Sequence, residues 1–460
     1  MDERLGDLES GEILVEGARI RDVAHRIEVS DCETLDARGM IALPGFVDTH
    51  RHTWQTQLRN VAAEWTLFDY FVEMRLCYSS VYTAEDAYLG NYAGAVEALD
   101  AGVTTLVDHS HIMNTPEHAD AAIDGLEHAG IRGIFCYGLF ANPVRESGKP
   151  VEYPGLESPE WHFQDCKRIR KERLASDDGL VRLGVATNEL ESLPIAAAAR
   201  EIEFARSIGA ARISAHIAMG ALSRGRALVS RLAERGLLGP DLLFVHGAEL
   251  SDREIDALVD AEASVSVTPE TEVQMGMGTP VTGRILARGG KLGLGIDIVS
   301  NYSGDMFAQM RMGLQIERFR RNLDLDVAGL APRRLAFSCR DVLRLATIGG
   351  AEAIGLGDRV GSLVPGKQAD LVLLRTDTTA MMPVNDAAAA VVLSASPRDV
   401  DTVVVAGRIL KRAGRLVGVD LARLGRELSA SRDRIVGQFA QIDTRELRGL
   451  VGPLFPLAAE

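Results

Sequence analysis

The sequence predicts an α/β fold: a distorted TIM (β/α)8 barrel with a small β-sandwich domain formed from both chain ends. Three observations carry that expectation. Between residue 45 and about residue 300, eight short apolar runs alternate with amphipathic, capped helical segments. These runs are apolar on both faces, as parallel strands covered by crossover helices must be. The flanks, 1–43 and 358–417, switch to short strand-like runs broken by Gly and Pro. A doubly wound open sheet would want a Gly-rich phosphate turn after its first strand, and none follows here.

The elements follow in order. "GFVDTH" is the first strand. "TAEDAYLGNYAGAVEALDAG" is a helix, with Thr83 and Asp86 spaced as a capping box and Gly102 as its stop. "VTTLVDH" is the second strand, and "TPEHADAAIDGLEHAG" a helix with Thr115 as N-cap and Pro116 at its first position. "IRGIFCYGLF" is the third strand; a polar Pro/Gly insertion and the helix "SPEWHFQDCKRIRKERL" follow. "VRLGVAT", "RISAHIA", "LLFVHGA", "ASVSVTP" and "KLGLGID" supply strands four to eight. The barrel is expected over 44–357. Its closing segment "SCRDVLRLATIGGAEAIGL" reads as one helix with Ser338 as N-cap. Residues 418–460 are expected to be a polar helical tail, a surface or dimer element.

Composition narrows the function. The 460 residues are 46% hydrophobic and 25% charged, the mix of a globular protein. The net charge of −15, from 65 acidic and 50 basic residues, argues against nucleic acid or an anionic membrane as partner. Five scattered cysteines without a C-x-x-C pair fit a reducing cytoplasm rather than a disulfide framework. The acidic N-terminus carries no signal-peptide pattern, and no apolar run is long enough to span a membrane. The expected partner is a small-molecule substrate, in a homo-oligomer of two or more copies.

Catalytic groups in a parallel barrel stand at the C-terminal ends of the strands. Those ends hold His50 and His52, then His109 and His111, His216, His246 and Asp297, although the chain has only ten histidines. Two histidines at i and i+2 on a strand point the same way, so both imidazoles can reach one ion. A third histidine and a carboxylate from other strands complete an N3O donor set, which suits Zn²⁺, with Fe²⁺ as the alternative.

These segments resemble a known family. "ALPGFVDTHRH" is similar to the barrel-opening signature of the amidohydrolase superfamily. "GSLVPGKQADLVLL", "VVVAGRIL" and "GLGIDIVSNYSGDMFAQM" resemble segments of its cytosine deaminase and atrazine chlorohydrolase branch, and the likeness runs from about residue 11 to residue 417. The branch's usual first sandwich strand is not found before Asp7. The resemblance implies one divalent metal held by His50, His52, His216 and Asp297. It places His246 beside the bound water and gives Asp297 the water's proton. Strand 4 carries no lysine, so the second metal of the family's binuclear members is not expected. The implied activity is hydrolysis of a C–N or C–halogen bond in a small cyclic substrate, aromatic or heterocyclic.

One position departs from the family. The branch carries a proton-shuttling glutamate three residues after the strand-5 histidine. Here that position is Met219, whose thioether neither donates nor accepts a proton at neutral pH. Glu270 and Glu272 in "TPETEVQMGMG", or Glu189 in "ATNELES", are candidates for the missing acid. Two other readings stay open: a lyase or decarboxylase on the same metal, and a metal-binding homologue without catalysis. Trp54, Met219, Met275, Met277, Tyr302, Met306 and Phe307 lie at or just past strand ends and suggest an apolar wall for a flat substrate. Gln55, His109, His111 and Asn188 are the candidate polar contacts.

Overall fold

A computed structural model describes residues 6–146, 149–152 and 157–458. Its centre is a sheet of eight parallel strands in sequential order: Phe46–Arg51, Val103–Ser110, Arg132–Gly138, Val181–Ala186, Ile213–Ile217, Leu242–His246, Ser264–Val267 and Lys291–Leu294. They are called barrel strands 1 to 8 below. Strand 8 returns to strand 1 through a parallel bridge between Arg51 and Asp297. The Asp297 N–H donates to the His50 carbonyl and the His52 N–H to the Asp297 carbonyl, both at 2.8 Å. Below them the buried Asp48 carboxylate accepts the Ile296 N–H at 2.9 Å. The barrel is thus stitched shut at the strand ends where the chemistry-bearing residues stand. Nearly every strand residue is buried on both faces, as the continuous apolar runs require.

Local sequence explains the crossover helices. Thr83 and Asp86 form the reciprocal capping box of helix Ala84–Asp100, and Gly102 follows at φ +86°. Thr115 is the N-cap of Pro116–Ala129, although its hydroxyl turns to Glu117 instead of to a free backbone N–H. The single helix expected after Ser338 is two: Cys339–Leu345 and Ile348–Ala353. The break has a local cause. The Ala346 carbonyl accepts the N–H of Val47 on strand 1, and Thr347 leaves helical geometry.

Both chain ends build the antiparallel layer. Met40–Pro44 pairs with Leu371–Arg375, which pairs with Val400–Val405, followed by Arg408–Arg412 and Arg415–Leu416. An N-terminal hairpin, Glu12–Glu16 with Arg19–Ala24, joins it through the Ile20 N–H to Lys367 and the Ala369 N–H to Ala18. Gly407, in "VVVAGRIL", has φ +76°, and any Cβ there would sit 2.0 Å from the Gly17 carbonyl oxygen. Only glycine lets the two chain ends approach so closely. The barrel is tied to this layer by Arg132, which holds the buried Asp370 carboxylate with two hydrogen bonds of 2.7 and 3.0 Å. The strand missing before Asp7 concerns residues that lie, up to residue 5, outside the described ones. The polar insertion after strand 3 contains a hairpin, Val144–Glu146 with Lys149–Glu152; its residues 147–148 and 153–156 are likewise outside.

The C-terminal tail is helical, Leu421–Phe439 and Thr444–Val451. It packs against the chain's own barrel. Ile435 is fully buried, Ser431 bonds Gln57 and Asp86, and Phe439 stacks on Tyr78 at 4.0 Å. Among the described residues no helix is long and apolar enough to cross a membrane.

Candidate metal centre

Barrel strand 1 delivers His50 and His52, strand 2 ends at His109 with His111 just beyond, and strand 5 delivers His216. The ring centroids of His50, His52, His109 and His216 lie 4.3–5.4 Å from one another. Burial lowers the pKa of His50, His52 and His109. His50 is pulled down to about 4, and His52 and His109 fall well below the usual value; burial does the same to His111. A neutral imidazole with a free lone pair is what a metal ligand must be.

The donor spacing fits an ion. His216 Nε2 is 3.3 Å from His50 Nε2, and Asp297 Oδ1 is 3.4 Å from His50 Nε2 and 3.3 Å from His52 Nε2. A tetrahedron with bonds of about 2.0–2.1 Å has edges of about 3.3–3.4 Å, so four lone-pair donors converge at zinc-like spacing. The tautomer of His52 is set correctly. Its Nδ1 bonds the His109 carbonyl at 2.8 Å, leaving Nε2 for the ion. A second triad, His109, His111 and His216, also brings three nitrogens within 4.8 Å of one another.

Asp297 and His246 both have left-handed backbones, φ +68° and φ +76°. Such strain in non-glycine residues persists only where surrounding structure enforces it, and it concentrates at functional sites. Burial works against ionised Asp297, but the hydrogen bond and charge of His50, with His246 and His52, hold its pKa far below the usual carboxylate range. His246 Nδ1 lies 3.1 Å from the Thr268 hydroxyl and 3.4 Å from Glu272 Oε1. Burial opposes the charged imidazole, yet Glu272, Asp297 and Glu189 outweigh it and raise its pKa.

These groups open onto a small, partly open pocket. Its lining contains His52, His111, His216, His246 and Asp297, with Met219, Met275 and Met277 as part of an apolar wall. Glu189 also lines it, with Oε1 3.5 Å from His216 Nδ1. Glu270 and Glu272 are not in the lining. Glu272 is fully buried behind His246 and accepts the Thr268 N–H at 2.8 Å. Glu270 accepts a hydrogen bond from Gln309. His109 stands one layer below, its Nδ1 2.9 Å from the Ser214 hydroxyl.

The other expected contacts are likewise placed behind the wall. Trp54 is fully buried, edge-on to Tyr82, and Met306 and Phe307 are core residues. Gln55 donates to the Tyr70 hydroxyl and accepts from Ser300, so it braces the wall. Asn188 Oδ1 accepts the Glu189 N–H at 2.7 Å and orients that loop. The Tyr302 hydroxyl donates to the Ile296 carbonyl next to Asp297.

Sequence reasoning missed Leu67, Tyr70, Phe71 and Arg75, which form one side of the cavity. They lie on a continuous helical stretch, Leu67–Asp69, Tyr70–Tyr78 and Ser79–Val81, opened by a Thr66–Asp69 capping box. Two signals marked it: that T-x-x-D spacing, and one arginine in the otherwise apolar "MRLCY".

The chain is 28% identical over 452 residues to a 5'-deoxyadenosine deaminase of Methanothermobacter thermautotrophicus, covering 96% of each chain. It is 28% identical over 412 residues to a 5-methylthioadenosine/S-adenosylhomocysteine deaminase of Desulforudis audaxviator, covering 88% of this chain and 89% of the relative. Its fold matches a zinc-bound adenosine deaminase from Xanthomonas campestris, with a TM-score of 0.80 at 24% identity over 94% of each chain. It also matches an atrazine chlorohydrolase from Arthrobacter aurescens complexed with zinc, with a TM-score of 0.79 at 22% identity over 94% and 97% of the two chains. The model of the amidohydrolase family matches residues 41–410, so the chain belongs to that family and is a hydrolase.

Proposed function

We propose that the protein is a mononuclear zinc hydrolase of the deaminase type, acting on a C–N bond of a small heterocycle, with C–halogen cleavage as its nearest variant. The convergence of His50, His52, His216 and Asp297 at tetrahedral spacing carries this reading. His50, His52, His216 and Asp297 would hold the ion, which would supply the Lewis acidity that activates water for attack. Asp297 accepts the proton that the attacking water loses. His246, braced through Nδ1 by Thr268 and Glu272, presents Nε2 to the substrate's reacting atom. Glu189 is the carboxylate beside these groups, and it handles the proton that Met219 cannot. The methionines and Phe71 exclude bulk water and favour a flat ring.

A cytoplasmic setting and a homo-oligomer belong to the same proposal. Cys32, Cys77, Cys136, Cys166 and Cys339 are all unpaired thiols. Phe319, Leu323 and Val327 form an exposed apolar stripe on one face of helix Met306–Val327, suited to a second copy.

The test joins metal analysis to a screen of deaminase, amidase and dehalogenase substrates read by product mass. About one zinc per chain is expected, lost in His50→Ala, with ¹⁸O from labelled water in the product. A turnover without label in a product that gained oxygen would replace hydrolysis by another reaction.

A further inference from the structure

Arg75 lines the cavity and is only 1% exposed. None of its three guanidinium nitrogens has a hydrogen-bond partner among the described residues, and neither ring nitrogen of His111, also in the lining, has one. Burial pulls the Arg75 pKa down to about 10, which leaves it charged at neutral pH.

A buried cation without a partner is expensive, and proteins keep one only where a counter-charge arrives. The neighbouring carboxylates make their close contacts elsewhere, although the charge of Glu189 still acts on Arg75. Asp297 faces His50 and His52, Glu189 faces His216, and Glu73 on the same helical stretch holds Arg448 at 2.8 Å. The guanidinium lies over the face of Phe140, its central carbon 4.1 Å from the ring centroid. Stacking occupies a face and leaves the donor edge free, and that edge matches a planar carboxylate bidentately. The nitrogens of His111 could instead join His109 and His216 around a second cation. The unpartnered Arg75 guanidinium in the same lining disfavours a further cation there, so the surroundings favour an anion.

We propose that Arg75, with His111 beside it, is an anion-recognition site that selects substrates bearing a carboxylate, held so that the reacting ring carbon faces His246 and Asp297. The inference relies on the reading above for where the substrate lies, and Arg75 is a binding residue outside the metal chemistry.

Nicotinate and nicotinamide, flat rings differing in carboxylate against amide, are the probes. Binding of each is measured calorimetrically on protein whose zinc content is determined in parallel. Nicotinate is expected to bind at least about tenfold more tightly than nicotinamide, the scale of a hydrogen-bonded charge pair. Arg75→Met should abolish that preference at unchanged zinc content, and Arg75→Lys should keep part of it. Absence of nicotinate binding, equal affinities in the wild type, or a preference that survives Arg75→Met would overturn the proposal. The last result would place the anion on the metal. Should Arg75→Met fail to fold, the wild-type comparison and Arg75→Lys still decide. Zinc below about half an ion per chain would count against the metal reading instead, and the affinity ratio reads independently of it.

Discussion

Glu189 and Met219 line the same cavity, and only one of them can carry a proton. Glu189→Gln is therefore expected to lower kcat by about 10²-fold or more, the usual scale of general acid–base assistance. Met219→Ala should cost less than about tenfold, since it removes only apolar contact. Steady-state kinetics on a substrate found by the screen gives the ranking, and the reverse order would return the role to another residue. Glu272 lies 3.4 Å from His246 Nδ1; on the proposed role of His246, Glu272→Gln should shift the pH profile of kcat while leaving zinc content intact.

Glu201 offers a separate test of burial. It is 2% exposed, with the Ser158 hydroxyl at 2.6 Å and the Asn188 N–H at 2.8 Å. Burial, only partly offset by those two hydrogen bonds, raises its carboxyl to about 7. A carboxyl whose folded pKa lies above its unfolded value stabilises the protein at low pH. That contribution is complete below the unfolded pKa and fades as pH rises towards 7. Glu201→Gln removes the titration, and a flipped Ser158 hydroxyl can accept from its amide. The variant should gain on the wild type between pH 5 and pH 8, by up to about 3 kcal/mol. Denaturant unfolding at the two pH values measures the difference, and a pH-independent difference would refute the assignment.

Among the elements, the stretch Leu67–Val81 owes its position to a distant part of the chain, the C-terminal tail. Its outer side meets the C-terminal tail: Arg448 pairs with Asp69 and Glu73 at 2.8 Å, and Phe455 packs edge-on to Phe68 and Phe71. Its inner side carries Tyr70, Phe71 and Arg75 into the cavity. The tail thus braces a substrate wall. Ile435→Ala is expected to loosen the docked helix by about 2–4 kcal/mol, the cost of truncating a buried isoleucine. Hydrogen exchange should then rise across both Leu421–Phe439 and Leu67–Val81. If only the tail exchanges faster, the two elements are not coupled.

On the scale of the molecule, barrel and antiparallel layer are joined through a buried charge pair, Arg132 with Asp370, whose carboxylate also receives the Ala406 N–H at 2.7 Å. Arg132→Met would strand that carboxylate and is expected to cost about 3–5 kcal/mol. Adding Asp370→Leu should recover a substantial part, because the stranded charge is gone. A double-mutant cycle by chemical denaturation measures the coupling, and strictly additive costs would show that the pair does not act as a unit.

Much of this architecture is written locally. The continuous apolar runs determine a parallel barrel, because strands covered on both faces need apolar residues throughout. The Thr83–Asp86 and Ser338–Asp341 boxes mark their helix starts because capping is satisfied within four residues. The convergence of His50, His52, His216 and Asp297 was legible because a barrel gathers its strand ends at one face. What the sequence left open depends on direction and on distant partners. Glu270 follows strand 7 as closely as Glu189 follows strand 4, with Glu272 two residues further on, yet of the three only Glu189 turns into the cavity. The other two are drawn to Gln309 and to Thr268. The break at Ala346 requires the N–H of Val47, some three hundred residues earlier. Arg75 looks like any helical arginine until tertiary packing buries it without a partner. Sequence periodicity determined which faces are covered; only the folded chain decided which buried polar groups find partners and which wait for a ligand.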